Sequence, residues 1–310
     1  MPTPAIERNA PVPTWFGIGG SADRLARPAS LDELRACLDL DPNLAILGDG
    51  ANLLVDDDGI DRLVVALTQP AFTVATFDGD RVVVGAGANL PKLILESVRR
   101  GLGGLEGLGG IPASVGGAAI MNAGGTFGQF SDAVASVRAL DRAGRAVELA
   151  RADIAFAYRS SGLANLLITE VELRLAPADP TALRARLKEV MAYKSRTQPM
   201  AEPSAGCVFK NPDVAGDVAE RLEVGGGDTP RRVSAGMLLD RAGCKGLRVG
   251  GARVSDWHAN FVVTEPGARA RDVIELMDRS RARVLDRFGI TLEPEVVIWR
   301  RGATRSEVGA

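Results

Sequence analysis

The chain has 310 residues, 46% of them hydrophobic, and its 37 basic and 39 acidic side chains leave a net charge of −2. This length suits two or three domains with a large core. The balanced charge excludes a nucleic-acid footprint and a polybasic membrane patch. We therefore expect partners that are small molecules, with neither nucleic acid nor membrane among them.

The N-terminus lacks the pattern of a secretory signal, and no apolar run approaches the roughly 18 residues of a transmembrane helix. Three cysteines without a CxxC pair indicate a reducing compartment. A single histidine excludes a multi-histidine metal site within one chain. These features predict a cytoplasmic protein without a metal. Since no coiled-coil repeat is visible, we also expect a monomer.

Residues 1–70 predict a first α/β unit. LDELRACL (31–38) has helical periodicity, and LAIL (44–47) and RLVVAL (62–67) are typical of strands. A second unit, residues 71–195, opens with FTVATFDGDRVVVGAG, which predicts two strands joined through Asp-Gly-Asp, and continues with a helix in NLPKLILESVRRGL.

The rest of the second unit predicts a hairpin at 136–150, a long strand at 165–176 and a helix at 180–194. The composition changes at 194–212, which is rich in proline and polar residues. This composition predicts irregular structure. We place a domain boundary there and expect a third unit at 196–302. Its predicted elements are helices at 235–242 and 268–288 and strands near 260–264 and in PEVVIW. Residues 303–310 are expected to form a frayed tail.

Three glycine-rich turns follow strand-like runs, at 45–55, 82–94 and 110–125. Small residues let backbone amides approach phosphate oxygens closely. The turn at 85–87 is an incomplete dinucleotide fingerprint without its third glycine or a following acidic residue, so a tight structural turn is favoured there. Residues 110–125 leave almost no side chain for packing, and this indicates a cofactor phosphate cradle.

Several strings carry a family resemblance in addition to this pattern. GDGANLLV, GIPASVGGAAIMNAGG, AYRSSG (157–162), SAGCVFKNP (204–212), AGMLLDRAGCKGLRVGGARVSDWHANFVV (235–263) and LEPEVVIW (292–299) follow one another along the chain. In this order they resemble the UDP-N-acetylenolpyruvoylglucosamine reductase family of bacterial peptidoglycan synthesis, over roughly residues 13–299.

The resemblance implies an α+β protein: an FAD-binding fold of the vanillyl-alcohol-oxidase (PCMH) type in two subdomains, followed by a C-terminal α+β substrate domain. It also implies that NADPH reduces non-covalently bound FAD, which reduces the enolpyruvyl group of the UDP-sugar to UDP-N-acetylmuramate. The implied FAD contacts lie in two glycine-rich segments: Gly48, Gly50, Ala51, Asn52, Leu53, Gly110, Ile111, Pro112, Ala113, Ser114, Gly117, Asn122 and Gly124.

The resemblance also implies a catalytic set. Arg159 offers a planar fork for the carboxylate beside the reacting carbon, and Glu295 would assist if burial keeps it protonated. Cys207 stands where many family members carry serine and is expected to donate the proton. Lys210 would either lower the pKa of this thiol or contact phosphate.

Tyr158 and Asn211 are implied substrate contacts. Lys194, Arg196 and Gln198 lie in the stretch expected to be irregular and are candidates for holding the diphosphate. The short interval between Arg159 and Tyr193 indicates the shorter type of the family, which lacks the tyrosine-bearing loop. His258 is expected to be structural.

Three alternatives remain at this point. A flavin oxidase of the same fold with covalent FAD is disfavoured, because the only histidine lies outside the glycine loops. A non-catalytic flavin- or nucleotide-sugar-binding protein would have no use for the arginine, thiol and glutamate together. A Rossmann-type UDP-sugar dehydrogenase is disfavoured by the imperfect fingerprint.

Overall fold

The computed structural model describes residues 4–225 and 229–303, which form three α+β units. The first unit contains β1 (Ile6–Pro11), β2 (Ser21–Ala26), α1 (Leu31–Leu40), β3 (Ala45–Leu47), β4 (Leu53–Val55) and β5 (Ile60–Ala66). Its sheet has the order β1-β2-β5-β3, in which β2, β5 and β3 run parallel and β1 is antiparallel. Ser30 caps the N-terminus of α1, where its hydroxyl accepts a hydrogen bond from the Glu33 amide.

The second unit is organised around an antiparallel sheet of five strands. Its elements are β6 (Ala75–Asp78), β7 (Arg81–Gly85), α2 (Leu90–Arg99), β8 (Leu102–Gly103), α3 (Val115–Ile120), β9 (Gly124–Gly125), β10 (Gly128–Gln129), β11 (Val134–Leu140), β12 (Ala146–Ala150), β13 (Leu167–Arg174), β14 (Ala176–Pro177) and α4 (Pro180–Thr197). The sheet order is β12-β11-β13-β7-β6. Buried side chains of the first two units form one continuous core, which fixes their relative position.

The third unit has a core of its own. Its elements are β15 (Asp213–Val214), α5 (Gly216–Arg221), β16 (Arg231–Arg232), α6 (Ala235–Arg241), β17 (Arg248–Val249), β18 (Ala252–Val254), β19 (Val262–Thr264), α7 (Ala270–Phe288) and β20 (Val297–Trp299). Helix α7 packs on the small antiparallel sheet β17-β18-β19. Phe16 and Leu54 of the first unit reach into this core.

The predicted helices and strands are largely present, with two differences near the predicted boundaries. Helix α4 continues to Thr197, so the beginning of the stretch predicted to be irregular is helical. Strand β20 pairs in parallel with β4, and Trp299 packs in the core of the first unit. The chain therefore returns to its first unit at residues 297–299. The predicted tail at 303–310 lies outside the described residues except for residue 303.

Within the described ranges, no helix combines the length and the apolar character needed to cross a membrane. The whole interval from Arg159 to Tyr193 is described, and after the Arg159 turn it holds β13, β14 and most of α4. No inserted loop lies between the two residues, as the spacing predicted.

Candidate active site

A cavity of ≈ 890 Å³ lies where the three units meet. Its size falls in the range of about 300–1,000 Å³ that is usual for small-molecule and cofactor sites. One wall is the loop between β3 and β4 together with residues 110–117, and a second wall carries Arg159, Cys207 and Glu295. The cavity thus joins the predicted cofactor loops to the predicted catalytic residues.

The glycine wall is closely packed against the protein behind it. A Cβ at Gly48 would lie 2.6 Å from the Ser114 hydroxyl oxygen, so the two predicted cofactor loops touch. Gly50 adopts φ +65, and a Cβ there would lie 2.1 Å from the Pro13 carbonyl oxygen. Ser114 caps α3 by accepting a hydrogen bond from the Gly117 amide. Small residues at these places keep the backbone itself as the cavity surface.

The donor set of this wall fits a dinucleotide cofactor. In the described part of the chain, no protein group accepts a hydrogen bond from the backbone amides of Asp49, Gly50 and Ala51. Consecutive free amides of this kind bind phosphate oxygens. Farther along the cavity, the buried Nε and Nη2 atoms of Arg62 lack an acceptor among the described residues. Amide donors beside small apolar surface are the environment that FAD requires.

Of the thirteen residues predicted to contact FAD, all but one line this cavity: Gly48, Gly50, Ala51, Asn52, Leu53, Gly110, Ile111, Pro112, Ala113, Ser114, Gly117 and Gly124. The exception is Asn122, which is buried and does not reach the cavity. Its side-chain amide donates to the Ala157 carbonyl at 3.0 Å and accepts from the Ser131 amide at 3.1 Å. Asn122 therefore ties the glycine segment to the turn that carries Arg159.

Arg159 and Glu295 form an ion pair in the cavity wall. Arg159 Nε lies 2.5 Å from Glu295 Oε1, and Arg159 Nη1 donates to the Gly124 carbonyl at 3.0 Å. Arg159 holds φ +54, a conformation uncommon outside glycine and often found at functional sites. Burial raises the pKa of Glu295 above its ordinary value, although Arg159 opposes the rise.

Three backbone segments bring Cys207 next to this pair. The Glu295 amide donates to the Val208 carbonyl at 2.8 Å, and the Val208 amide donates to the Asn260 carbonyl at 2.9 Å. Burial raises the pKa of the Cys207 thiol to about 12, and the nearby Glu295 carboxylate adds to the rise. The thiol is therefore protonated at neutral pH.

The expectation that Lys210 lowers the pKa of this thiol is wrong. Lys210 lies outside the cavity wall, with its Nζ 3.8 Å from Glu293, and burial has shifted the pKa of Cys207 in the opposite direction. Because a low-dielectric environment disfavours the thiolate, the site keeps a proton on sulfur.

The other predicted substrate contacts divide into two groups. Gln198 lines the cavity. Arg196 is exposed outside it, and Tyr158 and Asn211 are engaged with the protein, since the Asn211 amide donates to the Tyr158 hydroxyl at 3.1 Å. The Asn211 side-chain oxygen accepts from the Ala235 amide at the start of α6. In this arrangement Tyr158 and Asn211 hold the third unit against the Arg159 turn.

Other residues of the cavity wall were not singled out by sequence reasoning as site residues. Arg62 and Arg142 line the part next to β3, and Phe127 stacks edge-on against Tyr193 with ring centroids 5.1 Å apart. The sequence signal for Arg62 as a site residue was a charged side chain beside the apolar run of β5. His258 also lines the cavity, although its Nδ1 accepts from the Asn260 amide at 3.2 Å as a structural histidine would.

The glycines at 85–87 are structural. A Cβ at Gly87 would lie 1.7 Å from the Leu67 carbonyl oxygen, and neither Gly85 nor Gly87 lines the cavity. The turn permits close passage of one backbone past another. The preference for a tight turn over a dinucleotide fingerprint is confirmed.

Comparison with known proteins matches both parts of the chain. Residues 22–150 match the FAD binding domain, and residues 198–299 match the UDP-N-acetylenolpyruvoylglucosamine reductase, C-terminal domain. UDP-N-acetylenolpyruvoylglucosamine reductase 2 of Symbiobacterium thermophilum is 43% identical over 92% of this chain and 89% of its own length. The reductase of Moorella thermoacetica is 41% identical over 93% of this chain and 91% of its own.

Among solved structures, the UDP-N-acetylenolpyruvylglucosamine reductase of Thermus caldophilus superimposes with a TM-score of 0.80 at 37% identity. The superposition covers 96% of this chain and all (100%) of that one. Together with the two domain matches, it confirms the predicted fold class of an FAD-binding fold followed by a C-terminal α+β domain.

Proposed function

The chain belongs to the UDP-N-acetylenolpyruvoylglucosamine reductase family, and we infer that it reduces the enolpyruvyl group of UDP-N-acetylenolpyruvoylglucosamine to UDP-N-acetylmuramate in peptidoglycan synthesis. It is an FAD-dependent oxidoreductase with NADPH as reductant. One observation carries the assignment of its site: Arg159, Cys207 and Glu295, far apart in sequence, meet in a cavity whose other wall is the glycine loops.

When bound, FAD would supply the chemistry of hydride transfer between NADPH and the enolpyruvyl double bond. The amides of 49–51 would hold the diphosphate, and the small residues of 110–117 would let the flavin lie against the backbone. Asn52 adds a structural function, because its side chain donates to the Glu295 carbonyl at 3.0 Å. The loop that would hold FAD therefore also positions the segment bearing the catalytic glutamate.

Arg159 and Glu295 are proposed to receive the substrate carboxylate. Hydride addition places negative charge on the carbon beside this carboxylate, and a guanidinium fork stabilises such charge. A second carboxylate arriving next to Glu295 raises its pKa further, since like charges disfavour ionisation. Glu295 then takes up a proton and donates a hydrogen bond to the substrate.

Cys207 is proposed as the proton donor. Its thiol, half-buried in the cavity wall, holds a proton at neutral pH. The carbanion formed by hydride addition is a far stronger base than a thiolate. The thiol proton passes to the carbon beside the carboxylate, and the thiolate recovers a proton from water. Gln198 is proposed to contact the diphosphate of the substrate from the end of α4.

We propose further that the protein is a monomer in the cytoplasm. No coiled-coil repeat is visible in the sequence, and the free thiols of Cys37, Cys207 and Cys244 suit a reducing compartment. Light scattering coupled to gel filtration tests the first statement, and fractionation of the source cell tests the second.

The direct test of the function is NADPH oxidation by the purified yellow protein, with and without UDP-N-acetylenolpyruvoylglucosamine. We expect rapid oxidation only with the UDP-sugar and a product two hydrogen atoms heavier by mass spectrometry. Equal oxidation without the UDP-sugar, or an unchanged mass, contradicts the assignment.

A further inference from the structure

Lys194 is a buried lysine in the last turn of α4 that lines the cavity. No carboxylate or hydrogen-bond acceptor within the described ranges pairs with its ammonium group. A buried charge is normally paired, because leaving water without a partner costs several kcal/mol. The neighbouring charge of Arg159 does not help, since Arg159 is also a cation and is already paired with Glu295.

The packing of α4 places Lys194 at the cofactor side of the cavity. Leu187, Val190, Met191 and Lys194 form one face of the helix, as their spacing requires. This face covers the glycine loop: a Cβ at Gly109 would lie 2.5 Å from Leu187 Cδ1, and one at Gly110 would lie 3.1 Å from Lys194 Cδ. The lysine stem therefore lies directly on the loop that leads into α3.

The negative charges of the ligands already have other receptors. The amides of 49–51 are available for the cofactor diphosphate, and the Arg159–Glu295 pair for the substrate carboxylate. Lys194 lies in the same cavity, packed on the glycine loop at Gly110 and near enough to Arg159 for the two positive charges to interact. Burial and Arg159 together lower the pKa of Lys194 to about 8, so a neighbouring anion is needed to hold its proton firmly.

We propose that Lys194 stabilises the negative charge that FAD acquires when NADPH reduces it. Hydride transfer from NADPH brings two electrons and one proton to FAD, which gains one unit of negative charge, and leaves NADP⁺. Lys194 exchanges neither atoms nor electrons in this step. Its ammonium group provides the counter-charge, and charges near the flavin ring are an established way for a protein to tune its electronics. The proposal rests on the assignment of FAD to this cavity.

The test is the reduction potential of bound FAD in the holoenzyme, measured at fixed neutral pH against a reference dye without oxygen. In Lys194→Met, we expect the ratio of reduced to oxidised FAD at a given potential to fall about tenfold, which is about 30 mV for a two-electron couple. Lys194→Arg should recover most of the loss, since it restores the positive charge. Lys188→Met is the matched control, because Lys188 is exposed on the same helix, and its potential should equal that of the wild type.

An unchanged potential in Lys194→Met with FAD bound overturns the proposal. If the KM for the UDP-sugar rises instead while the potential stays constant, Lys194 binds substrate. Lys194→Gln provides a second neutral variant should the methionine variant fold poorly, and the same two outcomes apply to it. A wild-type protein that binds FAD but does not reduce the UDP-sugar refutes the proposed function. The potentials of bound FAD in the wild type and in Lys194→Met still test the proposal for Lys194, because they are measured without the UDP-sugar.

Discussion

The two walls of the cavity are built on different principles. The wall built from the loop between β3 and β4 and from residues 110–117 presents backbone: free amides, glycines packed closely against the protein behind them, and a hydroxyl that caps α3. The wall formed by the Arg159 turn and the third unit presents Cys207 and Glu295, whose pKa values are raised by burial. Lys194, whose pKa is lowered by burial, lies at the end of α4 beside the glycine loop. The first wall is therefore suited to bind a ligand by shape, and the second carries the groups proposed to supply charge and protons.

This contrast predicts how each wall responds to substitution. A larger side chain in the glycine wall should take up cavity volume and weaken cofactor binding. A substitution in the wall that carries Arg159, Cys207 and Glu295 should alter a charge or a proton and slow the chemical step. Loss of the cofactor from a catalytic-wall variant that folds normally would contradict this division.

The largest effect is expected for Cys207→Ala. Removing the proposed proton donor should lower turnover of the UDP-sugar by about 10²–10⁴-fold. NADPH should still reduce FAD, because that half-reaction needs no proton from Cys207. Stopped-flow absorbance of the flavin separates the two half-reactions. Cys207→Ser should retain substantial turnover, since a hydroxyl also carries a proton.

The matched control is Cys244→Ala, in which a buried cysteine of the third-unit core is removed. It should change stability more than turnover. Full activity in Cys207→Ala would show that the proton comes from elsewhere.

A smaller effect is expected for Glu295→Gln, which should slow turnover about 10²-fold, as loss of one group stabilising transition-state charge does. Burial raises the pKa of Glu295, and its protonated form is the one proposed to act. Wild-type kcat should therefore fall as pH rises through this pKa. In the glutamine variant this fall should be absent, because the amide stays neutral. Glu293→Gln, an exposed neighbour, should keep the wild-type pH profile; a fall that persists in Glu295→Gln assigns the titration to another group.

For Lys194→Met we expect the cofactor-free protein to become more stable at pH 7, by on the order of 2 kcal/mol, since a buried cation is removed. The pKa of Lys194 is about 8 in the folded protein and higher when unfolded. At pH values between the folded and the unfolded pKa, the unfolded chain binds more protons than the folded protein does. The free energy of unfolding of the wild type therefore increases as pH rises through this range. Chemical denaturation at pH 7 and pH 10 should show the advantage of the variant shrinking with pH. A constant difference would mean that the lysine is not titrating.

The smallest effect is expected for Gly48→Ala in the glycine wall. The added methyl group must displace the Ser114 hydroxyl, at a cost of about 1 kcal/mol, so FAD should bind several-fold more weakly. Fluorescence titration of the cofactor-free protein measures this affinity. Gly125→Ala is the comparison, because no protein atom lies within 4 Å of its new Cβ, and its unfolding temperature should not change. A normal FAD affinity in Gly48→Ala would show that the loop adapts.

Sequence alone determined most elements and the composition of the site. Hydrophobic periodicity located α1, α2 and α7, because the apolar residues on the buried face of an amphipathic helix recur at a regular spacing. Glycine clusters and the motifs containing Arg159, Cys207 and Glu295 identified the residues that line the cavity. Because these features are local, they can be identified from the sequence alone.

Only the tertiary structure decided which residues meet and what their environment does to them. The return of β20 to β4 depends on a parallel pairing between residues some 240 positions apart, which no local pattern encodes. The same holds for Asn122, which supports the Arg159 turn, and for Lys210, which pairs with Glu293. A shifted pKa is also a property of burial, so the raised pKa of Cys207 and the lowered pKa of Lys194 followed from the packed units around the cavity.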